Sequence, residues 1–326
     1  MKLDAESLVF ALDVNTDGSA VSIEADALDD LEGPSAWRWI HLDRTGPTSK
    51  AWLEEIGDLS EAASEALFDE ETRPRANVID DNVVIILRGV NLNPGAEPED
   101  MVALRMLVSG RSVVTLRRSR VFAVQSIRDD ALAGRGPKGP GAFVAELAEG
   151  LTDRLAGTID QLEDRVDHLE DQSLAAQDDR SLADELVDVR REIVAYRRFL
   201  APQREALMRI LNLRRPWLDE DSREQLSETQ ETLSRVIEGL DAIRERAAIL
   251  QEGVAGRSAE RMNRTMYTLS IVATVFLPLS FVTGLLGINV GGIPGTQSSL
   301  GFVAVCAIIV VLAIVELWIF WRRHWF

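Results

Sequence analysis

Up to about residue 135, apolar residues come in short runs broken by Gly, Pro, Asn and Asp. The runs are "SLVFALDV" (7–14), "WRWIHLD" (37–43), "NVIDDNVVIILRGVNL" (77–92) and "MVALRMLVSGRSVVTLRR" (101–118). Their length and β-branched content predict strands. The third run turns at Asp80-Asp81-Asn82 and the fourth at Ser109-Gly110, so each predicts a hairpin. Short helices are expected at 48–57 and 60–71. "GRGPKGPG" (134–141) reads as punctuation between elements.

Beyond it the period changes to that of a helix. Phe143, Leu147, Leu151, Leu155, Ile159, Leu162, Val166 and Leu169 recur every three or four positions, and a second series runs from Leu182 to Ile210. Each predicts one apolar helix face, with a kink at Pro202 and a closing turn at Arg214-Arg215-Pro216-Trp217. A third series starts at Leu226 and continues through Leu233, Leu240 and Ala247 with no proline until Pro278. It predicts one helix from Ser222 to Leu286, about 100 Å long at ~1.5 Å per residue. Gly239, Gly253 and Gly256 weaken it by roughly 1 kcal/mol each relative to Ala. They are tolerated glycines or hinges.

From Thr265 to Val315 there are 51 residues without Asp, Glu, Lys or Arg. That is too long for a core helix and fits two membrane spans of ~20 residues, about 265–286 and 300–321, joined by a loop at 287–299. The expected organisation is therefore an α/β domain (1–135), a helical funnel with a long stalk helix (136–264) and a membrane domain (265–326).

Charge sharpens the division. The first 264 residues hold 52 acidic and 33 basic residues, whereas the rest hold Glu316, Arg322 and Arg323. Such acidity argues against nucleic acid. It either concentrates cations or keeps the domain soluble. Arg257, Arg261 and Arg264 precede the first span, Arg322, Arg323 and His324 follow the second, and the loop has no basic residue. Both termini are thus expected in the cytoplasm, with Trp318, Trp321 and Trp325 at the inner interface. Cys306 is the only cysteine, so no disulfide forms within the chain and no Cys-based zinc site exists.

One face of the first span is unusual. Asn263, Met266, Ser270, Ala273, Leu277, Ser280, Gly284 and Gly287 share it by spacings of three and four, and most are small or weakly polar. Such a stripe either lets helices pack closely or lines an aqueous path. On the second reading Asn263 and Asn289 mark its two ends, and Met266 and Leu277 are apolar collars suited to gating by dewetting. Two helices cannot enclose a pore, so a conduit requires several copies of the chain.

The segment "GLLGINVGGIPG" (284–295) carries the tripeptide Gly287-Ile288-Asn289. Set between two C-terminal spans, it resembles the signature loop of the CorA superfamily of divalent-metal transporters. The Ile, the "GGIPG" run, residues 73–106 and the "RRHWF" ending are similar to the ZntB-like zinc-transport branch. The resemblance covers essentially the whole chain. It implies a homopentamer in a bacterial inner membrane, an α/β cytoplasmic domain followed by long α-helices, and a ring of Asn289 amides at the outer entrance that holds a hydrated ion. The implied activity is transport of Zn²⁺ or similar divalent cations, with no cofactor and no enzymatic step. Many magnesium-transporting relatives carry a carboxylate in the outer loop, and Val290–Ser299 has none.

Other groups have plainer readings. Glu316 is expected to snorkel or to pair with Arg264, with proton coupling as the alternative. Asp164 and His168 share a helix face, and Glu97, Glu99 and Asp100 share a loop. Each set is a weak metal site or a solvated surface. The competing functions are a CorA-like Mg²⁺/Co²⁺ channel and a membrane-anchored scaffold that transports nothing.

Overall fold

The computed structural model describes residues 2–175, 179–288, 298 and 300–322. The chain divides into two units, Met1–Gln251 and Glu252–Phe326.

The first unit is built on a seven-stranded sheet of order β2-β1-β3-β7-β6-β5-β4. Its strands are β1 (Leu8–Val14), β2 (Ala20–Ser22), β3 (Trp37–Asp43), β4 (Arg75–Ile79), β5 (Asn82–Gly89), β6 (Val102–Val108) and β7 (Ser112–Arg117). Both expected hairpins form. Ile79 pairs with Asn82 around a two-residue turn in which Asp80 takes φ 55°, and Val108 pairs with Val113. β3 and β7 run parallel and join the two antiparallel halves.

β5 reads as an almost unbroken apolar run because both faces of the sheet are covered. On one face α1 (Ser49–Ile56) and α2 (Glu61–Phe68) bring Trp52, Leu53 and Leu67 into a core with Ile40, Leu42, Leu107, Val114 and Leu116. On the other lie α3 (Phe122–Leu132) and α4 (Pro140–Leu174), where the Phe143 ring centroid stands 4.6 Å from that of Trp39. α5 (Asp179–Leu211) passes through Pro202. It docks on the sheet through Gln203, whose buried Oε1 accepts from the Arg88 amide at 2.7 Å.

α6 runs unbroken from Glu220 to Gly287, as the sequence predicts. Within the first unit its buried stripe is Leu226, Leu233, Ile237, Leu240, Ile243 and Ala247. Polar links reinforce this packing. Arg246 on α6 meets Glu170 of α4 at 2.8 Å and also pairs with Asp167, and Arg165 of α4 meets Glu192 of α5 at 2.8 Å.

Two elements went unpredicted. β2 has only three residues, of which Val21 is 64% exposed. α3 buries Ala123, Val124, Ile127 and Ala131 beneath polar and charged residues that mask the period. A boundary also moves: Pro140 belongs to α4, as its first residue. Its missing N–H costs nothing in a first turn.

Gly141 sits in that turn because nothing larger fits. A Cβ there would stand 2.4 Å from the Trp217 carbonyl oxygen and 2.9 Å from Ser222 Oγ. Gly141→Ala should destabilise the first unit by about 2 kcal/mol, the scale of overpacking a close backbone contact. An unchanged unfolding midpoint for the full chain in detergent would contradict this account.

His41 is fully buried. Thr115 Oγ1 donates to the Ile40 carbonyl at 3.3 Å and accepts from Trp39 Nε1 at 2.9 Å. The contact of His41 Nδ1 with the same oxygen, at 2.7 Å, therefore assigns the proton to Nδ1. Nε2 is left bare and without a partner. Burial, then the charges of Arg117 and Arg128, push His41 down to about 3. The unfolded chain takes up this proton near pH ~6.5, so the contribution of neutral His41 is full above that value and is lost as pH falls toward 3. Unfolding temperature should drop between about pH 7 and pH 5, and drop less in His41→Gln. Parallel pH curves for the two proteins would remove His41 from the effect.

Candidate functional site

The second unit contains the end of α6 and α7 (Gly301–Arg322). Both carry stretches long and apolar enough to cross a membrane, and none of either apolar window is buried by the chain itself. Leu, Val and Ile dominate because no water is needed to satisfy a helix backbone whose hydrogen bonds are internal.

Cover in this unit is one-sided. On α6, Ile271, Val275, Pro278, Leu279 and Val282 are partly covered. On α7 the partly covered positions are Gly301, Val305, Ile309, Leu312, Ala313 and Glu316. Each set repeats every three or four residues and so marks one edge of its helix.

All eight stripe residues of α6 (Asn263, Met266, Ser270, Ala273, Leu277, Ser280, Gly284 and Gly287) are exposed. The stripe is centred roughly 160° around the helix from the covered edge, at about 100° per residue. Met266 is 55% and Leu277 74% exposed, so neither serves the core of its own chain. Phe281 borders the stripe, roughly 60° from its centre, and is 67% exposed.

Five hydroxyls on this part of α6 turn their protons inward. Ser270 Oγ donates to the Met266 carbonyl at 2.9 Å and Thr274 Oγ1 to that of Ser270 at 2.7 Å. Thr265, Thr268 and Thr283 do likewise at 3.0, 2.9 and 3.1 Å. Each hydroxyl therefore presents only lone pairs away from its helix. Pro278 lies inside α6 and has no N–H to offer the Thr274 carbonyl one turn back. That oxygen is a further acceptor the residue pattern did not reveal.

α6 ends at Gly287, and Ile288 follows as a bend, 49% exposed. Asn289 lies outside the described residues, as do Arg323, His324 and Trp325. At the other end of the span, Asn263 and Arg264 are exposed. On α7 one carboxylate oxygen of Glu316, Oε2, is enclosed and accepts no hydrogen bond. Among the described residues no ion pair joins Glu316 to Arg264. Trp318 and Trp321 are 52% and 73% exposed, and Arg322 Cζ stands 5.3 Å from the Trp318 ring centroid, a cationic and aromatic end suited to a membrane interface.

Among the described residues, no three His, Cys, Asp or Glu side chains are grouped to hold a metal ion. His168 Nε2 lies 3.0 Å from Gln172 Nε2, and Glu97 and Asp100 are exposed.

Residues 34–323 match the family described as CorA-like Mg2+ transporter protein. The divalent cation transporter CmaX of Pseudomonas aeruginosa is 41% identical over 293 residues, 90% of this chain and 88% of that one. The zinc transport protein ZntB of Yersinia enterocolitica is 35% identical over 322 residues, 99% of this chain and 96% of its own. The solved structure of full-length CmaX superposes with a TM-score of 0.85 at 40% identity, over 100% of both chains.

Proposed function

This chain belongs to the CorA-like Mg2+ transporter family, and from that premise we propose that it carries divalent cations, Zn²⁺ foremost, across a bacterial inner membrane. The supporting observation is the exposed stripe of α6, turned away from the partly covered edge of the same helix. A face left uncovered in one chain is available to other copies. We read the working form as a homopentamer with five α6 segments around a wet axis and both termini in the cytoplasm. Residues 1–135 and 136–264 form its α/β and stalk domains, 265–326 its membrane domain.

On this reading the cargo stays hydrated. A small divalent ion releases its water reluctantly, and a hydrated cation offers hydrogen-bond donors on its outer surface. The matching wall is made of acceptors. Gly287-Ile288-Asn289 supplies a ring of amide oxygens at the outer rim, and the lone pairs of Ser270 and the hydroxyl of Ser280 supply acceptors deeper in. Ala273 and Gly284 leave room for the shell. Met266 and Leu277 form collars that stop flow when they dewet, and Asn263 receives the ion at the inner mouth. Neutral acceptors hold an ion weakly enough to release it, as conduction requires.

Zinc is favoured over magnesium by the likeness to ZntB and by an outer loop, Val290–Ser299, without a carboxylate. The family description favours magnesium, and competition between Zn²⁺ and Mg²⁺ in one flux assay separates the two.

Liposomes holding the full chain and a zinc dye should fill under an imposed ion or proton gradient. Asn289→Ala should slow filling about tenfold, near 1.4 kcal/mol, with the oligomer intact. Flux no greater than in empty vesicles would sink the transport reading, and unchanged flux in the variant would sink the role of Asn289. In a Cys306→Ser background, cysteines at Ser270 and Ser280 should react with a membrane-impermeant thiol reagent far faster than one at Val272. Equal rates would mean that the stripe is a packing surface.

A further inference from the structure

The chain holds 53 acidic residues against 35 basic ones, so a concave place where guanidiniums gather without carboxylate partners runs against its charge balance. Such a place lies on the cytoplasmic unit between the segment after α2 and α5. It is a cavity of about 580 Å³ lined by Thr72, Arg73, Arg88, Arg198 and Phe199, with Glu70 and Glu71.

Arg88 is held at the end of β5 by neutral oxygens alone. Its Nε donates to the Thr72 carbonyl at 3.0 Å, Nη1 to the Met101 carbonyl at 2.6 Å and Nη2 to Thr72 Oγ1. Its Cζ lies 3.7 Å from the centroid of the Phe199 ring, and Arg198 Cζ lies 5.5 Å from the same centroid. Two like charges thus share one ring. Among the described residues neither guanidinium, nor that of Arg73, has a carboxylate within ion-pair distance. Glu71 pairs with Arg75 at 3.9 Å. Behind them Arg105 is 1% exposed and its Nε has no partner. Burial, then the charge of Arg198, push Arg88 down to about 10. Burial and three neighbouring arginines do the same to Arg105. The neighbourhood is short of negative charge.

The free donors are those an oxyanion needs. A guanidinium has five N–H groups. Arg88 commits three, while Arg73 and Arg198 have no hydrogen-bond partner among the described residues. Thr72 Oγ1 accepts from Arg88, so its own proton is free to be given. Guanidiniums and a hydroxyl converging in a half-enclosed space suit a phosphate group, which takes bidentate contacts from arginine.

We propose that this cavity binds a tetrahedral oxyanion, either inorganic phosphate or the phosphoryl group of a nucleotide, held between Arg73, Arg88 and Arg198. Thr72 and Arg73 follow α2, Arg88 ends β5 and Arg198 lies on α5. The bound anion therefore ties α5 to the sheet at a second point beside Gln203 and acts as a regulatory input. The site is separate from the stripe on α6 and stands whether or not zinc is the cargo.

Calorimetric titration of the full chain in detergent with phosphate, ATP and chloride tests this. Phosphate or ATP should bind in the millimolar range or tighter, about −4 kcal/mol, and raise the unfolding temperature. Tighter binding of ATP identifies a nucleotide, and equal binding identifies free phosphate. Because Arg88 supports the fold, the exposed residues carry the mutational arm. Arg73→Gln with Arg198→Gln should weaken binding at least about tenfold without lowering the unfolding temperature of the anion-free protein. Glu70→Gln should tighten it by removing a like charge from the rim. Binding of chloride as strong as that of phosphate, no binding of either oxyanion, or affinity unmoved by the double substitution would each overturn the site.

Discussion

A peptide group in hydrocarbon must find its hydrogen bond within its own helix, because no water is there to supply one. Every other feature of the second unit bends to that requirement. It explains why the described residues of this region give the helices α6 and α7, and why Ser270, Thr274 and Thr283 hydroxyls bond to carbonyls of their own helix. It also explains why Pro278 matters: it breaks the rule once, at Thr274, in a helix otherwise unbroken from Glu220 to Gly287. The constraint says nothing about what surrounds the helices. Since the chain leaves its apolar windows uncovered, their surroundings must provide the rest.

The first unit obeys a different accounting. Its core is conventional, but charge is handled unevenly. Several arginines of α4, α5 and α6 sit opposite carboxylates, as Arg246 and Arg165 do. Those at the sheet end after α2 sit opposite backbone carbonyls. Arg44 reaches the Phe68 oxygen at 2.8 Å and Arg105 the Asp69 oxygen at 2.6 Å, where the exposed C-terminal carbonyls of α2 attract positive charge. Carbonyls satisfy donors without cancelling charge, so the surplus remains.

Much of this was legible beforehand. Strands β1, β3 and β5 to β7 announce themselves because each is an apolar run between turn residues. α6 does so because nothing interrupts its period. β2 escaped because three residues carry no period, and α3 because its buried face is short and its exposed face charged. The parallel pairing of β3 with β7 is a tertiary fact no local pattern contains. At the candidate site the stripe was readable from spacing alone. Its position relative to the covered edge needed coordinates, since spacing does not show which side of α6 is taken. The acceptor character of the hydroxyls was hidden for the same reason: a letter in a sequence does not say where its proton points.

That last point reaches beyond the membrane unit. A wall of oxygen lone pairs distinguishes positive from negative solutes by the orientation of dipoles, without using a titratable group. Hydroxyls, amides and carbonyls keep that orientation across the whole physiological range of acidity, whereas a carboxylate ring would weaken as protons arrived. A surface of that kind therefore keeps its dipole orientation in acidified surroundings, and any response to protons must come from groups elsewhere in the protein.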